Sequence, residues 1–389
     1  MKIRVLLLLM IIYVAFVALG LPDALMGSAW NLVREEMNVQ LGAIGLITVV
    51  AYIMTMLSTS LSPRLLRHFD TKWITFVSIL LSSSSLLLIS QMSSFYQMVL
   101  LAIPLGIGAG AIDLSLNHYV AIHYKASHMS YLHSFYGLGV TVGPSIMAYT
   151  LKDNSWRVGY STVGFILLGI ALLVLLSFPL WQSETSEEKV DRHEHIPFPE
   201  IVRTKGVKHS LAIFLIYVHI ESLAGVYIAS YFFLVKHVSY AEAALFTTVY
   251  YLGLFIGRVL SGLFSDTVHP NRLILIGELL MIGAGVLMFF NFNQLYFYYI
   301  VVGILGLGSG PIFPNMMHMN PRNFDHRKMS RIMSLQMAIG YIGFGALTPL
   351  TGLLFQETTI TIYPIMITIW SIVLVFITTQ FFRFKLDTQ

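Results

Sequence analysis

Three carboxyl groups stand where a carboxyl group is costly. Asp23, Asp113 and Glu221 each lie well inside a long run of apolar residues. If those runs cross a bilayer, each carboxylate near its centre costs on the order of 2.5–3.5 kcal/mol. Two chemistries explain such positions. The group can exchange a proton, because removal from water disfavours its charged form, or it can bind a polar solute in a wet cleft. A structural carboxyl tied to a neighbouring donor is the alternative. Asn117 follows Asp113 by four residues and shares its helix face, so the two offer acceptors and donors side by side. Asp23 sits in Gly20-Leu-Pro22-Asp23, where the proline removes a backbone donor and is expected to kink the helix. Glu278 falls nearer the end of its run and is expected to reach the interface. His118, His133, His219 and His318 also fall within apolar runs; His133 precedes the glycine-rich segment Gly137–Pro144. Among residues able to contact a solute, Asn117, His133, Tyr136, Tyr227 and Asn315 are the candidates. His193 and His195 are too few for a metal site, cysteine is absent, and no metal or cofactor is expected.

The elements that hold these groups follow from composition. Apolar residues make up 56% of the 389 and charged residues only 11%, against about 25% charged in a soluble domain. A chain of this length cannot hide that excess in one aqueous core, whereas a bilayer accepts an apolar exterior. The net charge of +4 gives no case for nucleic-acid binding. A spanning helix needs about 20 mainly apolar residues. Twelve such runs lie near 5–31, 41–62, 73–91, 97–123, 129–151, 157–181, 208–235, 241–264, 272–291, 295–319, 330–355 and 360–383. The first follows Lys2 and Arg4 and is too long for a signal peptide, so it reads as an uncleaved span. Residues 182–207 are polar and charged and read as a cytoplasmic linker between two bundles, 1–181 and 208–389. With both termini inside, 19 of the 23 Lys and Arg fall on the cytoplasmic side, Arg258 among them; Arg34, Lys152, Arg157 and Lys236 fall outside. That asymmetry supports both termini in the cytoplasm.

The chain also repeats itself. Gly106-Ile-Gly108-Ala-Gly110 in the fourth run recurs as Gly306-Leu-Gly308-Ser-Gly310 in the tenth. Glycines inside an apolar span allow helices to approach closely. They lack the strand and phosphate loop of a dinucleotide site. The expected fold is an all-α polytopic membrane protein, with twelve transmembrane helices in two pseudo-symmetric six-helix bundles.

Four segments carry a resemblance to the major facilitator superfamily, and within it to the fucose–galactose–glucose:proton symporter family. They are Gly106-x-Gly108 with Asp113-Leu-Ser-Leu-Asn117; His133-Ser-Phe-Tyr-Gly137-Leu-Gly139 ending at Gly143-Pro144; Tyr217-Val-His-Ile-Glu221; and Gly257-Arg258 with Ile312-Phe313-Pro314. Members often have Glu where this chain has Asp113, and a small residue where it has His219. The resemblance implies proton-coupling roles for Asp23 and Asp113. It implies a secondary transporter that moves a small polar solute, a sugar or related metabolite, with protons. Such a chain would work as a monomer in the cell (inner) membrane. Gly139-x-x-x-Gly143-Pro144 partly matches the span-5 signature of antiporters, which keeps a proton-coupled exporter on the same fold as the alternative. No span shows an enzyme constellation, and the loops are too short for a receptor's ligand domain.

Overall fold

The computed structural model describes residues 2–124, 126–181, 198–265 and 267–384. All twelve expected spans are helical. They are α1 (Lys2–Gly20 continuing as Leu25–Glu36), α2 (Ile44–His68), α3 (Thr71–Ile89), α4 (Phe95–His123), α5 (Ala126–Thr150) and α6 (Trp156–Leu176). The second set is α7 (Val207–Lys236), α8 (Tyr240–Phe264), α9 (Pro270–Leu287), α10 (Leu295–Ser309 continuing as Ile312–Asn323), α11 (His326–Ile342 continuing as Thr348–Glu357) and α12 (Tyr363–Arg383). Among the described residues, eleven of these stretches are long and apolar enough to cross a membrane. The exception is α5, which has the length but is rich in Ser, His, Tyr and Gly. The outer surface is greasy: Leu100, Phe165, Leu176 and Leu263 are each more than 60% exposed. Most of the expected linker, residues 182–197, lies outside the described residues, as do His193 and His195. Its end forms a short helix, Phe198–Arg203, whose Glu200 meets Lys328 at 2.9 Å.

The repeated glycines do the same work in each half. Gly106 and Gly110 press α4 onto backbone carbonyls of α2, while Gly108 meets the Ser78 carbonyl of α3. Gly306 and Gly310 press α10 onto α8, and Gly308 meets the Gly277 carbonyl of α9. A side chain at any of these positions would run into backbone. Thr55 and Thr59 of α2 complete the first contact by donating to the Gly106 and Gly110 carbonyls at 3.2 and 3.3 Å.

Three helices are interrupted. α1 breaks over residues 21–24, where Asp23 and Leu25 donate to carbonyls three residues back instead of four, as the missing proline N–H demands. α10 breaks at Gly310-Pro311. α11 passes through a π-helical turn, Gly343–Leu347, a form that often marks functional sites.

The halves meet through α1 with α7 and α8, α5 with α8, and α2 with α11. Gly27 of α1 lies against the Gly225 backbone of α7, and Gly45 of α2 abuts Pro349 of α11. The Tyr240 hydroxyl donates to Glu35, the Gly42 N–H donates to Gln356 Oε1 at 3.2 Å, and Tyr52 stacks on Phe344 at 3.9 Å. Glu35–Tyr240, Gly42–Gln356 and Gly45–Pro349 lie at the end where α1, α7 and α11 finish and α2 and α8 begin, whereas Gly27–Gly225 and Tyr52–Phe344 lie farther in, beside a cavity between the halves.

Two sequence expectations fail. Glu278 does not reach an interface: it is fully buried and accepts a 2.6 Å hydrogen bond from Thr378 of α12. Its helix begins at Pro270, so the residue sits two turns inside rather than at an end. Arg258, counted with the cytoplasmic cations, lies within α8 and faces the molecule's interior.

Candidate functional site

A cavity of about 280 Å³ opens between the halves, close to the lower bound of about 300 Å³ for small-molecule sites. It is lined by residues of both bundles, and all three sequence-flagged carboxyl groups converge on it: Asp23 from α1, Asp113 from α4 and Glu221 from α7. His133 and Tyr136 of α5 line it as well.

Each carboxyl group is held by a different neighbour. The turn that breaks α1 aims Asp23 toward α5, where the Tyr136 hydroxyl donates to Oδ2 at 2.6 Å. Glycines make that approach possible: Gly20 and Gly139 bring the α1 and α5 backbones into contact. Gly143 packs on Leu21 in the same way, so the glycine pair that resembles an antiporter signature builds the α1–α5 seam. Asp113 accepts from Asn117 Nδ2 at 2.9 Å, one helical turn away, and interacts with Tyr341 of α11 from the other half. Glu221 pairs with Arg258 Nη2 at 3.6 Å, both side chains being largely buried.

The other candidates divide. Asn117 acts behind the wall, on Asp113. Tyr227 is buried off the cavity, edge-on to Phe355 at the clasped end. Asn315 is spent on structure: its amide donates to Ser261 and to the Pro311 carbonyl at the α10 break, both at 2.6 Å. Neither Tyr227 nor Asn315 lines the space a solute would occupy. Of the histidines, His219 is fully buried, with Nδ1 3.1 Å from the Thr348 hydroxyl. His133 packs edge-on to Phe16 at 5.4 Å.

Arg258, Tyr52, Tyr217, Tyr341 and Gln336 also line the cavity and were not singled out as site residues from the sequence. Arg258 carried a readable signal, since a cation inside an apolar span is as costly as an acid. Gln336 is orienting as well as lining; it exchanges hydrogen bonds with Asn320 at 2.7 and 3.0 Å. The tyrosines are indistinguishable in sequence from the many that only pack. Among the described residues no group of three or more His, Asp or Glu could hold a metal ion. The arrangement is a partly aromatic cleft that holds three carboxyl groups and one guanidinium, bounded by two bundles that meet at one end.

Comparisons with known proteins agree with this architecture. The Major Facilitator Superfamily model matches residues 11–236 and again 210–386. The chain is 22% identical to Bypass of stop codon protein 6 of Saccharomyces cerevisiae (strain ATCC 204508 / S288c), over 93% of this chain and 79% of that protein. It is 19% identical to the glucose/mannose transporter GlcP of Bacillus subtilis (strain 168), over 68% of this chain and 67% of that one. Its fold is similar to that of a D-xylose-proton symporter, with a TM-score of 0.75, 12% identity and coverage of 97% and 98% of the two chains.

Proposed function

This chain belongs to the major facilitator superfamily, and on that premise we propose that it is a proton symporter of a small polar solute of the sugar class. The observation that carries the reading is the convergence of Asp23 and Asp113 on one cavity bounded by both halves. A carboxyl group there exchanges a proton beside the solute, so charge and cargo are read at the same place. The aromatic rings and the amide and carboxyl groups around it suit a ring with several hydroxyls. The likeness to a glucose/mannose transporter supports the same class.

With both termini in the cytoplasm, the clasped end faces outward and the cavity opens inward. Loading a proton on Asp23 or Asp113 favours the occluded state, and the bundles then rock about the midplane cavity to expose it to each side in turn. We propose the cell membrane as its site, with both termini in the cytoplasm, the orientation that its lysine and arginine asymmetry favours. The test is uptake of labelled D-glucose, D-mannose and D-xylose into right-side-out vesicles under an inward proton gradient. The wild type accumulates at least one of them, while Asp113→Asn abolishes accumulation and keeps solute exchange. Uphill uptake undiminished in that variant overturns the reading, and outward movement alone, from preloaded vesicles and driven by protons entering down their gradient, assigns the exporter instead.

A further inference from the structure

We propose that Glu221 and Arg258 form a resident ion pair that fixes the charge of the cavity's C-terminal wall, leaving the transported proton to Asp23 and Asp113. This rests on the transporter reading above and divides the labour among its three acids.

The two halves are related by a pseudo-symmetry at their seam. Gly27 of α1 and Gly225 of α7 touch where the halves meet. Four residues before each glycine stand Asp23, in the turn that breaks α1, and Glu221, within α7. The two carboxyl groups are thus counterparts on either side of one seam, and they lie within electrostatic reach of each other. Their partners differ in kind. Asp23 receives a hydrogen bond from a neutral phenol, and Asp113 from a neutral amide. Glu221 alone is matched by a cation.

That difference decides which group can be emptied and filled. A proton arriving on Asp23 or Asp113 removes one negative charge and leaves its neutral partner satisfied. A proton arriving on Glu221 strands the Arg258 cation in a largely buried wall, the costly outcome when one member of a buried pair is lost. No second cation is at hand. Among the described residues that line the cavity, the only carboxyl groups are Asp23, Asp113 and Glu221, and Arg258 is the only Lys or Arg. The other titratable groups facing the pair are His133 and Tyr136 of α5, Tyr52 of α2, Tyr217 of α7, Tyr250 and Tyr251 of α8 and Tyr341 of α11. None of them replaces the guanidinium. The pair also ties α7 to α8, the two helices that α1 and α5 pack against across the seam.

The test is a double-variant cycle with two readouts that need no known solute. The first is thermal unfolding of the purified protein in detergent. Glu221→Gln and Arg258→Gln each lower the midpoint, by roughly 5–10 °C, and the double variant regains most of the loss. The second uses the absence of native cysteine. A cysteine in place of Met26, which lines the cavity, is labelled with a membrane-impermeant thiol reagent between pH 5.5 and 8, and each rate is divided by that of a cysteine in place of the exposed Asp153, which removes the pH dependence of the thiolate itself. The pH dependence of labelling seen in the otherwise unaltered chain persists in the double variant and disappears in Asp23→Asn. A double variant no more stable than the single ones overturns the pairing. A double variant that regains stability but loses the pH response shows that Glu221 carries the proton, which also overturns the proposal. If the unaltered chain shows no pH response, proton coupling itself fails, and the unfolding cycle still decides the pair. Should the single variants not fold, the charge-swapped chain, Glu221→Arg with Arg258→Glu, takes their place: wild-type stability supports the pair, and failure to fold contradicts it.

Discussion

At the scale of single residues, what a buried carboxyl group does depends on what it touches. Four acids lie inside spans, and cost alone cannot sort them. Asp23 and Asp113 face the cavity and have neutral donors; Glu221 faces it and has a cation; Glu278 faces no opening and bonds to Thr378. Glu278 is thus expected to be structural. Glu278→Gln keeps an oxygen for the Thr378 hydroxyl and should leave transport within about twofold of wild type. Glu278→Ala leaves a buried hydroxyl unpaired beside a void and should cost about 2–4 kcal/mol, measured as loss of folded protein on detergent unfolding. Asp113→Glu keeps the carboxyl group one methylene longer and should retain proton-driven uptake, in contrast to Asp113→Asn. The acids are legible in the sequence because an acid in an apolar run announces itself. The burial of Glu278 is not, because its helix starts at Pro270 and so carries the residue two turns inside.

Elements are where the glycines act. Gly27 lets α1 and α7 close to backbone contact, and a Cβ there would strike the Gly225 carbonyl. Gly27→Val should therefore insert normally yet hold the seam apart, with transport lost and thiol labelling of a cysteine at Met26 from the outer side increased. Gly169 has open space around it, so Gly169→Ala should change neither and serves as the control. The break in α1 was legible because Pro22 stands in the middle of a run. The break in α10 at Gly310-Pro311 is masked in the sequence, because the same glycines form a packing motif. The π-helical turn in α11 has no local signal. Gly343 there packs on the Leu215 carbonyl of α7 and Gly345 on Tyr52 of α2, so its irregularity answers to contacts formed only in the folded molecule.

For the whole molecule, the twofold plan was readable from one five-residue repeat. The glycines recur 200 residues apart because both halves pack their fourth helix on their second and third in the same way. The cavity between the halves was not readable. Which tyrosines line it, and that Arg258 answers Glu221, depends on the angle at which two bundles meet, and no local pattern records that angle. The account makes the cavity both the solute site and the proton site. The most direct test is a proteoliposome loaded with a pH-sensitive dye, with no imposed proton gradient, to which an accumulated sugar is added outside. The account predicts that wild type acidifies the lumen as sugar enters, and that Asp113→Asn exchanges sugar without moving protons. Sugar entry with no pH change in wild type, or proton movement unaltered in Asp113→Asn, would contradict it.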